Sequence, residues 1–255
     1  MILLMNPAIA TGYSSHSQIA RVVTESWGAS HLYCAACPSE ALHRMRNNSP
    51  ATDYVCANCG ARYQLKSSTR WSDKRVVDAG YHAMMQAIRS GEAPNLILLQ
   101  YDRNWAVVNL LLVPDLFFVP PIIERRRPLS GTARRAGWIG CNILLDAIPP
   151  EGKIRIVDKG VVTPPTIVRQ KYEVIKPLAK VDVEARGWTL DVLNIARSLG
   201  TGDFSLGDVY EHEVYFQGLH PKNRFVRPKI RQQLQVLRDM GYLEFLGRGR
   251  YRFLH

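Results

Sequence analysis

Apolar residues recur at two different periods along this chain, and the switches between them mark its parts. Ile19, Val22, Val23 and Trp27 fall three and four apart, which predicts a helix over 14–28. Ser15 or Ser17 is placed to cap it, and Glu25 falls in its last turn. Tyr54-Val55 and residues 62–67 predict two short strands. Residues 76–88 predict a second helix, ended by Ser90-Gly91. Unbroken apolar runs over 96–101 and 106–113 predict two buried strands joined by Asp102-Arg103-Asn104. This order fits a mixed α/β core, with a cysteine-bearing insertion on one edge that includes a loop at Asn47-Asn48-Ser49-Pro50.

Beyond Val113 the pattern changes. Pro114, Pro120, Pro121 and Pro128 interrupt any long helix, and Arg125-Arg126-Arg127 with Arg134-Arg135 make the stretch basic. No internal repeat is visible, and 163–186 reads as a poorly periodic connector. From Gly187 the helical period returns. Leu190, Leu193, Ile195 and Leu199 mark one helix ended at Gly200; Ser205 caps another carrying Leu206, Val209 and Tyr210. Pro228 suits the first turn of a third, which runs to Met240-Gly241. Residues 242–245 and 251–254 then predict a hairpin around Gly247-Arg248-Gly249. Three helices and a hairpin read as a winged helix, so the expected division is 1–186 and 187–255.

With 255 residues the chain is long enough for one large domain or two ordinary ones. Its net charge of +11 points to nucleic acid first and an anionic membrane second. The membrane reading weakens because no apolar run approaches the ~20 residues that span a bilayer. The opening Met1-Ile2-Leu3-Leu4-Met5-Asn6-Pro7 lacks a basic stretch and stops too early for a secretory signal, so a cytoplasmic protein, a monomer in solution, is expected.

In such a reducing compartment the cysteines take on meaning. Cys34-Ala-Ala-Cys37 and Cys56-Ala-Asn-Cys59 are separated by 18 residues, a spacing that fits a four-thiolate structural zinc site. A disulfide reading stays open beside it. Cys141, the fifth, reads as a small buried hydrophobe.

On a helical wheel of roughly 100° per residue, Ile230, Leu234 and Leu237 share one face of the third C-terminal helix, and Arg231, Gln232 and Gln235 share the other. Arginine and glutamine suit the base edges of guanine and adenine, and Lys229 adds a cation beside them. Residues 218–255 hold nine Lys and Arg against two acids, a net of +7, and Arg248 and Arg250 at the hairpin tip suit phosphates or a minor groove. A solvated helix face or a protein-docking module is the alternative.

Metal-dependent hydrolysis of a phosphodiester needs a carboxylate, further oxygen ligands and a cation beside the scissile group. Asp53 supplies the first. Strand alternation places Gln64 and Lys66 on one face; the Gln64 amide oxygen is a hard ligand suited to magnesium, and Lys66 can stabilise developing charge. Alone, this triplet reads more readily as a surface glutamine and an edge-strand lysine. The α/β order, the zinc pin and the basic body favour the catalytic reading.

Four stretches carry a family resemblance. They are Ser17-Gln18-Ile19-Ala20-Arg21 with Glu25 and Trp27, the cysteine quartet, Thr132-Ala133-Arg134-Arg135-Ala136-Gly137-Trp138-Ile139-Gly140-Cys141-Asn142, and Lys229-Ile230-Arg231-Gln232-Gln233-Leu234-Gln235-Val236-Leu237-Arg238-Asp239. Through them almost the whole chain resembles the DpnI-type methyl-directed restriction endonucleases, related to the Dam-replacing proteins. The resemblance implies a PD-(D/E)xK nuclease core, a structural zinc, a C-terminal winged helix and a magnesium requirement. It implies cleavage of duplex GATC whose adenine carries an N6-methyl group, read by both domains. Asp53 and Lys66 match the catalytic Asp and Lys, whereas Gln64 stands where these enzymes usually carry Glu. Within the first domain, Arg134 and Arg135 are candidates for phosphate or guanine contacts and Trp138 for the methyl group, with a core tryptophan as the alternative. A DNA-binding regulator that senses methylated DNA without cutting it is the competing function; an RNA-binding factor has only the charge in its favour.

Overall fold

The first helix, α1 (His16–His31), buries Val23, Thr24 and Trp27 along the stripe expected of a 3.6-residue period. The computed structural model describes residues 1–46, 52–200 and 202–254, so the loop expected at Asn47-Asn48-Ser49-Pro50 lies outside the described residues. Ser15 occupies the cap position, but its hydroxyl meets Ser17 Oγ at 2.9 Å rather than the helix backbone.

Thirteen strands follow among the described residues: β1 (His43–Arg44), β2 (Tyr54–Val55), β3 (Arg62–Ser68), β4 (Arg75–Gly80), β5 (Asn95–Tyr101), β6 (Val107–Val113), β7 (Ile123–Arg125), β8 (Gly140–Leu144), β9 (Ile154–Asp158), β10 (Val161–Val162), β11 (Phe204–Ser205), β12 (Leu243–Gly247) and β13 (Arg250–Phe253). The main sheet runs β1-β2-β3-β5-β6-β9-β10. Only β3 and β5 pair in parallel, so the sheet is mixed, as expected. The apolar runs of β5 and β6 lie at its centre, where Leu96, Ile97, Leu110 and Leu112 are almost fully buried.

The helix expected over 76–88 is corrected. Its first part is β4, and only Tyr81–Arg89 is helical, as α2. Val76 and Val77 are β-branched and pair with Ile143 and Asn142 of β8, and Gly80 takes the cap position that starts the helix. Strands β4, β8 and β7 form a second sheet. The connector expected over 163–186 is corrected too. It holds α3 (Pro165–Ile175), with Pro165 in the first turn and Val168, Tyr172 and Ile175 buried, then a 3-10 stretch over Lys176–Lys180.

The C-terminal helices are α4 (Val183–Ser198), α5 (Leu206–Tyr210), α6 (Glu213–Leu219) and α7 (Val226–Asp239). Helix α4 begins before Gly187 because Asp182 caps it, accepting from Glu184 N at 3.1 Å and Ala185 N at 3.0 Å. Ser205 caps α5 in a reciprocal box with Asp208. Helix α6 was not anticipated, and β11 joins the expected β12–β13 hairpin to make a sheet of three strands. Helix α4 also meets the first part of the chain. Asn194 Nδ2 donates to Ala147 O at 2.8 Å, and Arg197 ion-pairs with Glu151 while its guanidinium lies 3.7 Å from the centre of the Phe253 ring.

Candidate active site and nucleic-acid interface

The two C-x2-C turns close on one another. The Sγ atoms of Cys34, Cys37, Cys56 and Cys59 all lie within 4.8 Å, with Cys34–Cys59 and Cys37–Cys56 each 3.6 Å apart. Four thiolates at ~2.3 Å from a zinc ion stand ~3.8 Å apart, so the cluster fits a tetrahedral structural site. At 3.6 Å the paired sulfurs stand well beyond the ~2.05 Å of an S–S bond, an arrangement compatible with shared metal ligation. Neighbouring donors hold the sulfurs: Asn58 Nδ2 lies 3.4 Å from Cys37 Sγ, and Tyr63 Oη 3.3 Å from Cys34 Sγ. From α3, Arg169 donates to Cys34 O at 3.1 Å and Ser39 O at 3.0 Å, so the supposed connector clamps the cysteine loop. Cys141 is fully buried, as a small hydrophobe should be.

The cluster sits directly beside the candidate catalytic residues, because β2 and β3 leave it. Asp53 N donates to Tyr63 O at 2.9 Å, and the Asp53 Oδ2 accepts from Leu65 N at 2.7 Å, which aims the carboxyl across β3. Along β3 the faces alternate. Ser67 Oγ meets Thr24 Oγ1 of α1 at 3.1 Å, while Gln64 and Lys66 leave from the opposite face. Burial raises the Asp53 pKa above its ordinary range, against the Leu65 N–H and the charges of Lys66 and Arg44, and Asp78 adds repulsion. Asp53, Gln64 and Lys66 are each half-buried. A cleft of about 310 Å³, lined by Arg70, Trp71 and Arg75 among others, opens at Lys66.

Asp78, on β4, is the site residue that sequence reasoning missed. Its Oδ1 lies 2.5 Å from Lys66 Nζ, and its side chain has 0% exposure. The helix expected over 76–88 hid it; an acid following two β-branched valines was the available signal. Arg44, also missed, reaches the Glu25 carboxylate.

Residues 126–139 form the turn of the β7–β8 hairpin, where Arg126 N donates to Gly140 O and Leu129 N to Trp138 O. Arg134 and Arg135 are exposed on it. Trp138 is half-buried and lies on a glycine floor: a Cβ at Gly140 would meet its ring at 2.9 Å, and one at Gly80 its Nε1 at 3.4 Å. The Arg135 guanidinium stands 4.8 Å from the ring centre. Trp138 and Arg135 therefore meet in the β7–β8 turn, which also exposes Arg134.

Helix α7 divides as its wheel requires. Ile230, Leu234 and Leu237 are fully buried, and Arg231, Gln232 and Gln235 are exposed. Lys229 Nζ donates to Gln232 Oε1 at 3.0 Å, and the intervening Gln233 turns inward to accept from Thr189 Oγ1 at 2.7 Å. At the hairpin tip Arg248 is exposed with φ +48°, between Gly247 and Gly249, both also at positive φ. Arg250 is exposed but tethered, 3.4 Å from Asp203 Oδ2.

Residues 1–181 match the Dam-replacing family, DpnI, and 184–253 match its Dam-replacing helix-turn-helix domain. The chain belongs to the Dam-replacing family. The two matches meet in the loop before α4, where Asp182 caps the first helix of the C-terminal module. Dam-replacing membership implies methylation-dependent DNA recognition by a restriction enzyme, and the helix-turn-helix match implies DNA binding. No helix among the described residues is long and apolar enough to cross a membrane.

Proposed function

We propose that this protein is a methylation-dependent type II restriction endonuclease that hydrolyses duplex DNA at GATC carrying N6-methyladenine. What supports this reading is that Asp53, just before β2, bonds through its carboxyl to Leu65 N, between Gln64 and Lys66 on the neighbouring β3, within the first of two modules that match a DNA-recognising family. The reading makes the first module a PD-(D/E)xK nuclease and the second, from α4 onward, a winged helix, the whole acting in the cytoplasm as a monomer.

The donor set suits magnesium: a carboxylate from Asp53 and an amide oxygen from Gln64 are the hard ligands it prefers, and water or phosphate oxygens complete such a shell. When bound, the ion supplies Lewis-acid activation of the phosphate and of an attacking water. Asp53 presents its carboxyl, oriented by the Leu65 N–H, and Lys66 brings its ammonium against the charge that builds on the phosphate oxygens. The cysteine cage, with zinc, holds β2 and β3 in that relation. Helix α7 reads bases through Arg231, Gln232 and Gln235, assisted by Lys229, while Arg248 and Arg250 meet backbone phosphate. Trp138 offers a flat apolar surface for the methyl group, flanked by Arg134 and Arg135.

One observation favours a second reading. Gln64 lacks the charge of the usual Glu, as a DNA-binding regulator that no longer cuts would allow. Plasmid from a methylating and from a non-methylating host, incubated with the protein and magnesium, separates the two. Fragments from the methylated plasmid alone support the endonuclease. Methyl-dependent binding with no cutting in magnesium or manganese supports the regulator.

A further inference from the structure

Asp78 has the least solvent of any acid in the first module's candidate site, and its environment offers little to justify the burial. Its side chain has 0% exposure, yet neither carboxylate oxygen takes part in a properly angled hydrogen bond among the described residues. Among the described residues its close partner is Lys66 Nζ, 2.5 Å from Oδ1, an ion pair. A buried carboxylate without hydrogen bonds is destabilising, and such groups persist where function holds them. The two residues come from different sheets, Lys66 from β3 and Asp78 from β4, so their meeting is made by tertiary packing. Asp78 is fixed by antiparallel pairing to Cys141 of β8, whereas Lys66 is a long, flexible chain beside an open cleft.

We propose that Asp78 is a positioning residue for Lys66: the buried carboxylate holds the ammonium on the Asp53 side of the cleft, in place for the phosphate. This rests on the nuclease reading for its effect on rate. Without Asp78 the long lysine chain is free to swing within the cleft it lines, and a displacement of about 1 Å at a reacting group costs on the order of a hundredfold in rate. The carboxylate stays behind Lys66 and touches neither DNA nor metal.

The test uses the full, zinc-loaded chain and Asp78→Asn, which keeps the shape of the side chain and removes its charge. With methylated GATC duplex and magnesium, kcat is expected to fall by about a hundredfold while KM stays within about threefold. Manganese affinity, read by titration calorimetry, should be unchanged. A parallel arm needs no cleavage: amine-specific labelling without DNA, followed by peptide mass spectrometry, should modify Lys66 several-fold more in Asp78→Asn than in the wild type. Wild-type kcat, lost manganese binding or unchanged labelling would each overturn the proposal. If Asn unfolds the protein, seen as released zinc, Asp78→Glu takes its place: it should keep Lys66 protected but lower kcat by displacing the ammonium, and lost protection or wild-type kcat overturns the proposal. If the wild type itself never cuts, the nuclease reading fails, and the labelling arm still decides whether Asp78 holds Lys66.

Discussion

The hydroxyl of Tyr63 stands 3.3 Å from Cys34 Sγ and accepts a hydrogen bond from Ala35 N at 3.1 Å. Tyr63 immediately precedes Gln64 on β3, so one phenol ties the cysteine cage to the strand that carries the candidate catalytic residues. Tyr63→Phe leaves a buried Ala35 N–H unpaired and should cost ~1–3 kcal/mol of stability. Denaturant unfolding, with zinc release followed by a colorimetric chelator, checks this. One zinc per chain is expected by elemental analysis. Stripping it should lower both the melting temperature and cleavage, because closing the cage is coupled to folding.

Asp53→Ala and Lys66→Ala should abolish cleavage of methylated GATC while leaving duplex affinity within about threefold, since both act at the scissile phosphate rather than on the bases. Gln64→Glu should retain or raise the rate, because it restores a charged oxygen ligand. Single-turnover cleavage beside fluorescence anisotropy separates rate from binding. A Lys66→Ala enzyme that cuts at the wild-type rate would move the active site elsewhere.

In the C-terminal module, Arg231→Ala and Gln232→Ala should each lose ~1–3 kcal/mol of binding and relax base preference. Arg248→Ala should weaken binding to every sequence and reduce the salt dependence by about one unit. Arg250→Ala should do less than Arg248→Ala, because Asp203 already engages its guanidinium. Binding isotherms across a salt series, on matched and altered duplexes, give both quantities.

Trp138 and its floor make a paired test. Trp138→Ala should remove the first module's preference for methylated over unmethylated DNA. Gly140→Ala should mimic it, since the added Cβ meets the ring at 2.9 Å and lifts it from the sheet. A Trp138→Ala protein that keeps its full methyl preference would make this residue a packing element.

What was legible in the sequence follows from which forces act locally. The cysteine spacing, the α7 wheel and the apolar strands β5 and β6 are short-range patterns, and the structure carries them in the same places. Helix α3 was hidden because charged residues dilute its buried Val168, Tyr172 and Ile175. Strand β4 was missed because its identity comes from pairing with β8, whose Cys141 lies 63 residues downstream of Asp78. The ion pair of Lys66 with Asp78 was hidden for the same reason: two sheets bring it together, and neither residue signals the other in sequence.

The clamp of Arg169 on the cysteine loop has a consequence for how the chain is made. The guanidinium reaches Cys34 O from 135 residues further along. The four cysteines leave the ribosome long before α3 exists to brace them, and domains fold as their segments emerge. A nascent chain can gather its thiolates early, yet the bracing of the loop beside Asp53 waits for the last helix of the first module. The first module is thus assembled in a slack form and tightened only when α3 has been made. Ribosome-bound chains that stop before α3 should lose the cysteine loop to brief proteolysis, whereas chains that extend well past it should keep the loop intact.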